Sequence, residues 1–315
     1  MANHLPELKV ALGTYGHTRP LKTGVVPISG FNAVFPDISP THEIFRRMIQ
    51  EEAFDVAEMA LTTYLGAKFY GKPLVALPVM PMRMFHHGTI WCHVRSGIDH
   101  SKDLEGRRVA VRSYAQTGPM WSRGVLQSEY GVDLDRVEWV TFEGSHVPEC
   151  RDPPNAVRAP TGKAMRDMLE AGEVDAAINL DSLLSENVKP LFADAARLET
   201  DWFARTGIYP INHIVTVKAD LAARHPELLT SLFEAMARSK QIYLQQLAAD
   251  GPANTADETT IRLGKLVGGD PLPFGVEANR VALDAAADFV HRQKIIPVRY
   301  SAADIFPAEL SGLSG

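Results

Sequence analysis

Apolar runs alternate with amphipathic segments in the first part of the chain. The apolar runs predict strands at Leu8–Leu12, Val25–Ile28, Phe54–Ala60 and Pro73–Val79. Between the second and third runs, the segment THEIFRRMIQEE places Ile44, Phe45 and Met48 on one face of a helix. Ser39 or Thr41 can cap this helix, and a second helix is expected after Ala60. The resulting βαβαβ order is typical of a parallel sheet.

The same alternation continues in the second part of the chain. Apolar runs predict strands at Thr89–Val94, Arg108–Val111, Val137–Phe142, Val174–Leu180 and His213–Val217. Amphipathic segments predict helices over 119–130, 162–173, 226–248, 256–267 and 276–292. We expect a loop over 147–160, which is rich in proline, and an irregular segment over 201–212. The strand at His213–Val217 is expected to return to the first set of strands.

Two α/β sets, the first interrupted by the second, predict an α/β fold with two hinged lobes. We expect lobe I to comprise 1–88 and 212–315, and lobe II to comprise 89–211. Ligands of open α/β sheets bind beyond the carboxyl ends of the strands, so we expect a ligand cleft between the lobes. By default, the helix over 226–248 is expected to pack its apolar stripe on lobe I. The alternative is that this stripe forms an interface between copies of the chain in a homo-oligomer.

Composition narrows the classes of partner. The net charge of −6 argues against nucleic acid, which selects basic surfaces, and the apolar runs are too short to span a membrane. The first ten residues, MANHLPELKV, lack the basic region and apolar core of a signal peptide, so we expect a cytoplasmic protein. In that compartment Cys92 and Cys150, which lack CxxC spacing, are expected to be free thiols.

Charged and aromatic residues are concentrated after the first predicted strand. Tyr15, His17, Arg19 and Lys22 fall within eight positions of a polar loop. The planar guanidinium of Arg19 can hold a carboxylate with two parallel hydrogen bonds. His17 is a candidate proton donor or hydrogen-bond partner. A solvated polar loop is the alternative, but loops beyond strand ends favour function.

Glu58 is unusual because its neighbours along the chain are apolar. A carboxylate in such a strand needs a partner or it keeps its proton. It could orient His17, accept a hydrogen bond from a substrate hydroxyl, or form an ion pair with Arg19. Thr62 follows at the start of a helix, where it either caps the helix or binds ligand. His213, at the start of the returning strand, is either a core residue or an acid.

Further candidates lie near the predicted crossover and in the second lobe. Arg83 stands among methionines, which would strengthen its attraction for an anion, and His87 follows in an extended segment. After the strand at Arg108–Val111, a polar loop opens a helix near Pro119, where unpaired N–H groups can bind an anion. The candidates in and after this loop are Ser113, Tyr114, Gln116, Thr117 and Trp121. Trp121 either forms a wall of the pocket against an aromatic ring or belongs to the core.

Several phrases of the sequence resemble known proteins. DLEGRRVAV, GEVDAAI and VKADLAARHPELL resemble the type II periplasmic solute-binding protein fold over most of the chain. LGTYGHTRPLKTG, VAEMALTTYL, MPMRMFHHG, VRSYAQTG and DPLPFGVEANR, in this order, resemble the 4,5-dihydroxyphthalate decarboxylase family. The resemblance implies a cytoplasmic carboxy-lyase that converts 4,5-dihydroxyphthalate, an aromatic dicarboxylate, to protocatechuate and CO₂.

The resemblance also implies roles for the candidates. His17 and His213 would be the acid and the partner of the phenol, in an order left open, with Arg19 and Glu58 beside them. The loop over 113–117 would hold the spectator carboxylate, with Arg83 or Arg19 as its partner. The para hydroxyl of the substrate serves as electron sink, so we expect neither a cofactor nor a metal ion. The alternatives are a solute-binding protein for an aromatic or pyrimidine-like anion and another enzyme on the same fold. The motifs GxGxxG, GxxxxGK[ST], GxSxG and HExxH do not occur at suitable positions, which weakens nucleotide, hydrolase and zinc-protease alternatives.

Overall fold

The computed structural model describes residues 5–180 and 185–315. In these ranges the strands are β1 (Glu7–Ala11), β2 (Asn32–Val34), β3 (Val56–Ala60), β4 (Leu74–Arg83), β5 (Ile90–His93), β6 (Arg108–Val111), β7 (Glu138–Thr141), β8 (Ala156–Arg158), β9 (Ala176–Ile178), β10 (Val188–Pro190) and β11 (Ile211–Lys218). The α-helices are α1 (Arg19–Lys22), α2 (His42–Glu51), α3 (Leu61–Phe69), α4 (Thr117–Ser128), α5 (Met165–Glu170), α6 (Ala195–Thr206), α7 (Ala219–Arg224), α8 (Glu227–Asp250), α9 (Thr255–Val267), α10 (Arg280–Arg292) and α11 (Ala302–Ile305).

The chain divides into two compact α/β units. Unit 1 comprises Met1–Arg83, Ile211–Asp284 and Tyr300–Gly315, and unit 2 comprises Met84–Pro210 and Ala285–Arg299. These bounds differ from the predicted ranges of 1–88 with 212–315 and of 89–211, chiefly over 285–299. That segment belongs to unit 2, where Phe289 of α10 lies so close to Gly124 that a Cβ there would be 2.1 Å from the ring. The apolar spacing of a helix does not say which core it joins.

Unit 1 contains a mixed sheet in the order β2-β1-β3-β11-β4. The strands β2, β1 and β3 are parallel, as predicted, but β11 lies antiparallel between β3 and β4. The expected return of His213–Val217 to the first set of strands is therefore confirmed, whereas the expectation of an all-parallel sheet is wrong. The predicted strand at Val25–Ile28 is also wrong: Val26 N–H donates to the Pro20 carbonyl in a loop, and Pro27 has no N–H to offer a neighbouring strand.

The core of unit 1 is closed by the long helix α8. Its apolar stripe packs in one cluster with side chains of the sheet; the stripe comprises Leu228, Leu229, Leu232, Phe233 and Met236, and the sheet contributes Val10, Val56, Leu77 and Val215. The default expectation for this helix is confirmed. Its burial also brings the loop after β1 against α8, because Leu21 N–H and the His17 carbonyl both bond to Ser239 of α8.

Unit 2 contains a sheet in the order β10-β5-β9-β6-β7-β8. The strand predicted at Arg108–Val111 is confirmed as β6, which pairs in parallel with β7 and β9. The loop expected over 147–160 contains the edge strand β8, and the segment expected to be irregular over 201–212 is largely helix α6. The helix buries Glu199 and Trp202 and ends at Gly207, whose positive φ of 66° only glycine adopts easily.

Candidate active site

A buried carboxylate lies at the centre of the candidate site in unit 1. Glu58 is on β3, and its neighbour β11 runs antiparallel with Val215 opposite Glu58 and His213 opposite Ala60. His213 is therefore a diagonal neighbour of Glu58 on the same face of the sheet, within reach of its side chain. The Nδ1 atom of His213 lies 2.6 Å from Oε1 of Glu58.

Two groups of the loop after β1 complete the surroundings of this carboxylate. The Tyr15 hydroxyl donates to Oε1 of Glu58 at 2.7 Å, and the Gly13 N–H donates to Oε2 at 2.7 Å. Glu58 is fully buried, so these donors replace water around it. The sequence correctly indicated that Glu58 needs a partner. The partners in these hydrogen bonds are Gly13, Tyr15 and His213, and not the expected His17 or Arg19.

The hydrogen bonds decide the charge of Glu58. Burial by itself would raise the pKa of this carboxyl, but the hydrogen bond and charge of His213, with the bonds from Tyr15 and Gly13, lower it below its usual value. Burial and the adjacent Glu58 raise the pKa of Tyr15 well above its usual value. Glu58 is consequently a carboxylate at neutral pH, and Tyr15 is a neutral hydrogen-bond donor to it.

The side chain of His213 is oriented by this carboxylate. Its Nδ1 faces Glu58, and Phe45 of α2 packs edge-on against the imidazole at 4.8 Å between ring centroids. An imidazole held at Nδ1 by a carboxylate exchanges protons through Nε2, on the other side of the ring. The pair Glu58–His213 has the arrangement of an oriented acid or base.

The loop between β1 and α1 is folded tightly enough to require glycine at two positions. A Cβ at Gly13 would lie 2.6 Å from the Tyr15 ring, and a Cβ at Gly16 would lie 2.2 Å from the ring of Tyr243 on α8. Thr18 closes the loop, since its hydroxyl donates to the Gly13 carbonyl and accepts from the Tyr15 N–H. The loop therefore presents its side chains in a defined geometry.

A cavity of about 910 Å³ opens beside this loop within unit 1. Its walls include aromatic or imidazole rings, an apolar strand end and two guanidinium groups; among its lining residues are Tyr15, His17, Arg19, Met82, Arg83 and Tyr243. Arg19 is exposed, whereas Arg83 is buried at the end of β4. A pocket with rings and two cations is suited to a small aromatic anion. Two of the predicted carboxylate partners, Arg19 and Arg83, are thus brought to one cavity.

His17 lies in the wall of this cavity with an unusual environment. Its ring is stacked on Tyr15, with centroids 5.2 Å apart and an angle of 5° between the planes. Burial lowers the pKa of His17 to about 4, so the imidazole is neutral at physiological pH. Among the residues that the structure describes, its buried Nε2 has no hydrogen-bond partner. The structure thus favours a neutral hydrogen-bond partner over a proton donor at this position.

The free energy of unfolding should depend on pH through His17. Its pKa is about 4 in the folded protein and 6.5 ordinarily, so the unfolded chain binds a proton in this window that the folded protein does not. The free energy of unfolding is therefore highest above pH 6.5 and decreases as the pH falls from 6.5 toward 4. The total decrease due to His17 is about 3 kcal/mol. Urea titrations at pH 7, 5.5 and 4 measure this loss.

The variant His17→Gln isolates this contribution from those of the carboxylates. We expect the pH dependence of its unfolding free energy to be flatter than that of the wild type by the amount attributed to residue 17. His291→Gln, at an exposed position on α10, should leave the pH dependence unchanged. Equal slopes for wild type and His17→Gln would contradict the assignment.

The remaining predicted residues lie on α3 and in unit 2. Thr62 is buried in the first turn of α3. In unit 2, Ser113 bonds to the Gly144 carbonyl, and the buried Tyr114 hydroxyl donates to the Gln293 carbonyl. α4 begins at Thr117, two residues before the predicted start, with Gln116 at its N-cap. For Thr62, Ser113, Gln116 and Thr117, substrate binding stays a prediction.

His87 and Trp121 have structural surroundings in unit 2. Trp121 is fully buried and packs edge-on against Phe289 at 5.7 Å. His87 is buried among the rings of Tyr130, Phe192 and Trp202. For Trp121 the contacts fit the alternative of a core residue. Tyr114 likewise has its hydroxyl engaged with backbone.

The sequence pattern assigns no role to three groups of the site. Tyr15 belongs to the crowded polar loop but its type and spacing indicate no function, and Gly13 and Tyr243 carry no functional signal. Glycines flanking Tyr15 in the string GTYG are a sign of a tightly folded loop, but the partner of the Tyr15 hydroxyl is 43 residues away along the chain. Only the fold identifies it.

Two further features of the described residues concern metal binding and the membrane. Within 5–180 and 185–315, no three His, Cys, Asp or Glu side chains are grouped so that they could hold a metal ion. No helix in the described part of the chain has the length and apolar character needed to cross a bilayer.

The chain is similar to curated proteins over nearly its whole length. It is 30% identical over 324 aligned positions to a 4,5-dihydroxyphthalate decarboxylase of Comamonas testosteroni, covering 96% of this chain and 97% of the relative. It is 31% identical over 209 positions to a protein of the same name from Pseudomonas putida, covering 62% of this chain and 81% of the relative. No protein-family model matches the chain.

A solved structure supports the fold. The alkanesulfonate-binding protein SsuA of Xanthomonas axonopodis pv. citri, bound to MOPS, is similar with a TM-score of 0.57 at 14% identity. The similarity covers 97% of this chain and 99% of that chain. At this identity the likeness extends to the fold alone. The predicted two-lobed periplasmic-binding-protein-like fold class is confirmed.

Proposed function

Because the chain belongs to the 4,5-dihydroxyphthalate decarboxylase family, we propose that it removes one carboxylate from 4,5-dihydroxyphthalate, releasing protocatechuate and CO₂. The observation that best supports this proposal is the buried pair Glu58–His213, joined through Tyr15 to a cavity with two arginines. The pair can move a proton, and the arginines can hold an aromatic dicarboxylate.

The reaction needs a proton at the carbon that bears the departing carboxylate. Direct loss of CO₂ would leave an aryl anion in the ring plane, which nothing in the ring stabilises. When the para hydroxyl loses its proton, electrons move through the ring and the ipso carbon accepts a proton, which gives a dienone. The C–C bond to the carboxylate then breaks, CO₂ leaves, and the bonding pair returns through the ring to the phenolate oxygen.

We assign the two proton transfers to different histidines. The neutral imidazole of His17 accepts the hydrogen bond and proton of the para hydroxyl at Nε2, which has no other partner among the described residues. His213, whose ring is oriented by Glu58 at Nδ1, delivers a proton from Nε2 to the ipso carbon. Arg19 and Arg83 hold the carboxylates.

The test is incubation of the purified protein with 4,5-dihydroxyphthalate under nitrogen, followed by liquid chromatography. One sample is treated with EDTA and a second receives a divalent metal ion, so that a need for metal is seen directly. We expect protocatechuate and CO₂ in equal amounts. Ligand-dependent thermal stabilisation without product in either sample would contradict the proposal and favour a solute-binding protein for an aromatic anion.

We also propose the cytoplasm as the working compartment. Cys92 and Cys150 are both free and buried, and burial raises the pKa of the Cys92 thiol to about 12. Unpaired thiols are usual in a reducing compartment. Fractionation of cells that express the full-length protein should recover it with a cytoplasmic marker enzyme; recovery from the periplasm would contradict this assignment.

A further inference from the structure

Tyr15 contacts both parts of the candidate site. Its hydroxyl donates to Oε1 of Glu58 at 2.7 Å, the same oxygen that His213 approaches at 2.6 Å. Its ring is stacked in parallel on the imidazole of His17 in the cavity wall.

The backbone holds Tyr15 in this place independently of any ligand. Thr18 accepts the Tyr15 N–H at 2.9 Å, and the Tyr15 carbonyl accepts the N–H groups of Thr18 and Arg19 at the start of α1. Gly13 leaves room for the ring, since a Cβ there would lie 2.6 to 2.7 Å from its Cζ, Cε2 and hydroxyl atoms. This close approach serves to bring the hydroxyl to Glu58.

The shared oxygen has a chemical consequence. A carboxylate oxygen that accepts from two donors divides its charge between them, so the Tyr15 hydroxyl weakens the hydrogen bond between Glu58 and Nδ1 of His213. A weaker bond at Nδ1 leaves less electron density in the imidazole ring, and the proton at Nε2 is then given more readily to carbon. The Tyr15 hydroxyl also stabilises the charged form of Glu58. Glu58 therefore stays a carboxylate, able to orient His213, at a lower pH than it would without this hydrogen bond.

We propose that Tyr15 is a positioning residue that sets the proton-donating strength of the Glu58–His213 pair and fixes the ring plane of His17. The proposal rests on the proposed function for its kinetic part only. The titration of Glu58 in the protein without substrate tests it separately. Glu58 is faced by Tyr15 and Gly13 from the loop after β1 and by His213 from β11, and its charge also acts on His17 and Lys22.

The variant Tyr15→Phe keeps the ring and removes the hydroxyl. We expect the pKa of Glu58, followed by ¹³C NMR of labelled carboxyl groups, to rise by about 0.5 to 1 pH unit, as fits the loss of one hydrogen bond. The acid limb of kcat/KM against pH should move upward by the same amount. We expect kcat to fall about tenfold with KM little changed, because a pure loss of proton-donating strength acts on the chemical step.

Tyr64→Phe is the matched control. Tyr64 is also buried in unit 1, and its hydroxyl donates to the Ile305 carbonyl rather than to Glu58. The variant Tyr64→Phe should lose stability as Tyr15→Phe does. It should leave the titration of Glu58 and the acid limb of the kcat/KM profile unchanged. If Tyr15→Phe behaves like this control, the role of Tyr15 is structural and the proposal is overturned.

A second measurement protects the test against a folding failure. Biosynthetic replacement of tyrosine by 3-fluorotyrosine keeps the ring and the hydroxyl of Tyr15 but makes the hydroxyl a stronger donor, and should lower the pKa of Glu58. An unchanged Glu58 titration in the folded fluorotyrosine protein would also overturn the proposal. A protein that shows the titration shift but no decarboxylation would contradict the proposed function alone.

Discussion

His213→Gln is expected to reduce kcat/KM for 4,5-dihydroxyphthalate by about 10²–10⁴-fold, the usual contribution of a placed acid. Glutamine can still donate a hydrogen bond to Glu58 but cannot deliver a proton to carbon. Glu58→Gln should cause a loss of similar order, because His213 then has no carboxylate to orient its ring. Steady-state kinetics on the purified variants measure both losses.

The double variant separates this explanation from two independent defects. If Glu58 acts through His213, combining the substitutions should cost little more than either alone, as expected for residues that work as a unit. Losses that multiply would show that the two residues act separately. Glu227→Gln is the control, since Glu227 forms an exposed pair with His225 in the same unit; it should leave kcat/KM unchanged.

Glu58→Gln should also destabilise the fold. The amide has one acceptor oxygen where the carboxylate has two, so its NH₂ group must face the Gly13 N–H or the groups at Oε1. A buried donor left without an acceptor costs about 1–3 kcal/mol. Kinetic comparison therefore has to be made at a temperature where both proteins are folded, which circular dichroism establishes.

His17→Gln is expected to reduce kcat by about 10²-fold or more, because the para hydroxyl loses the group that accepts its proton. Glutamine is close in size and retains a hydrogen-bond acceptor, so 4,5-dihydroxyphthalate should still bind, although with lower affinity than in the wild type. The rate of the variant should recover only at a pH high enough for the phenol to ionise without the help of a base. Single-turnover measurements of CO₂ release give the loss in the chemical step.

Ligand binding distinguishes a role at the hydroxyl from a role at the carboxylates. Phthalate has both carboxylates but lacks the hydroxyls, so His17→Gln should bind it as the wild type does while losing affinity for 4,5-dihydroxyphthalate. Arg83→Gln should weaken both ligands. Equal weakening of both ligands by His17→Gln would contradict its assignment to the phenol.

Much of the fold could be predicted because its elements are encoded locally. The strand at Arg108–Val111 and the helix over 227–250 have apolar patterns of the right period and length, and both are found nearly as predicted. The failures have local causes too. Val25–Ile28 has the apolar content of a strand but contains a proline. The sequence pattern does not predict the helix Ala195–Thr206, because its short apolar face is interrupted by charged residues.

The site could be predicted only in part. The sequence indicates His17, Arg19, Glu58 and His213, because polar side chains beyond strand ends, or alone in apolar strands, require an explanation. The sequence alone also determined that Glu58 needs a partner. It could not identify the partner, because His213 lies 155 positions away and reaches Glu58 through an antiparallel pairing of β11 with β3.

The sequence by itself determined the two α/β sets and the family, and it indicated several polar residues of the candidate site in unit 1. The tertiary structure alone decided that Tyr15 and His213 share one oxygen of Glu58, that His17 is neutral, and that the segment 285–299 belongs to unit 2. The physical reason is that periodicity and residue type act over a few positions. Strand register, burial and hydrogen-bond partners depend on contacts between distant parts of the chain.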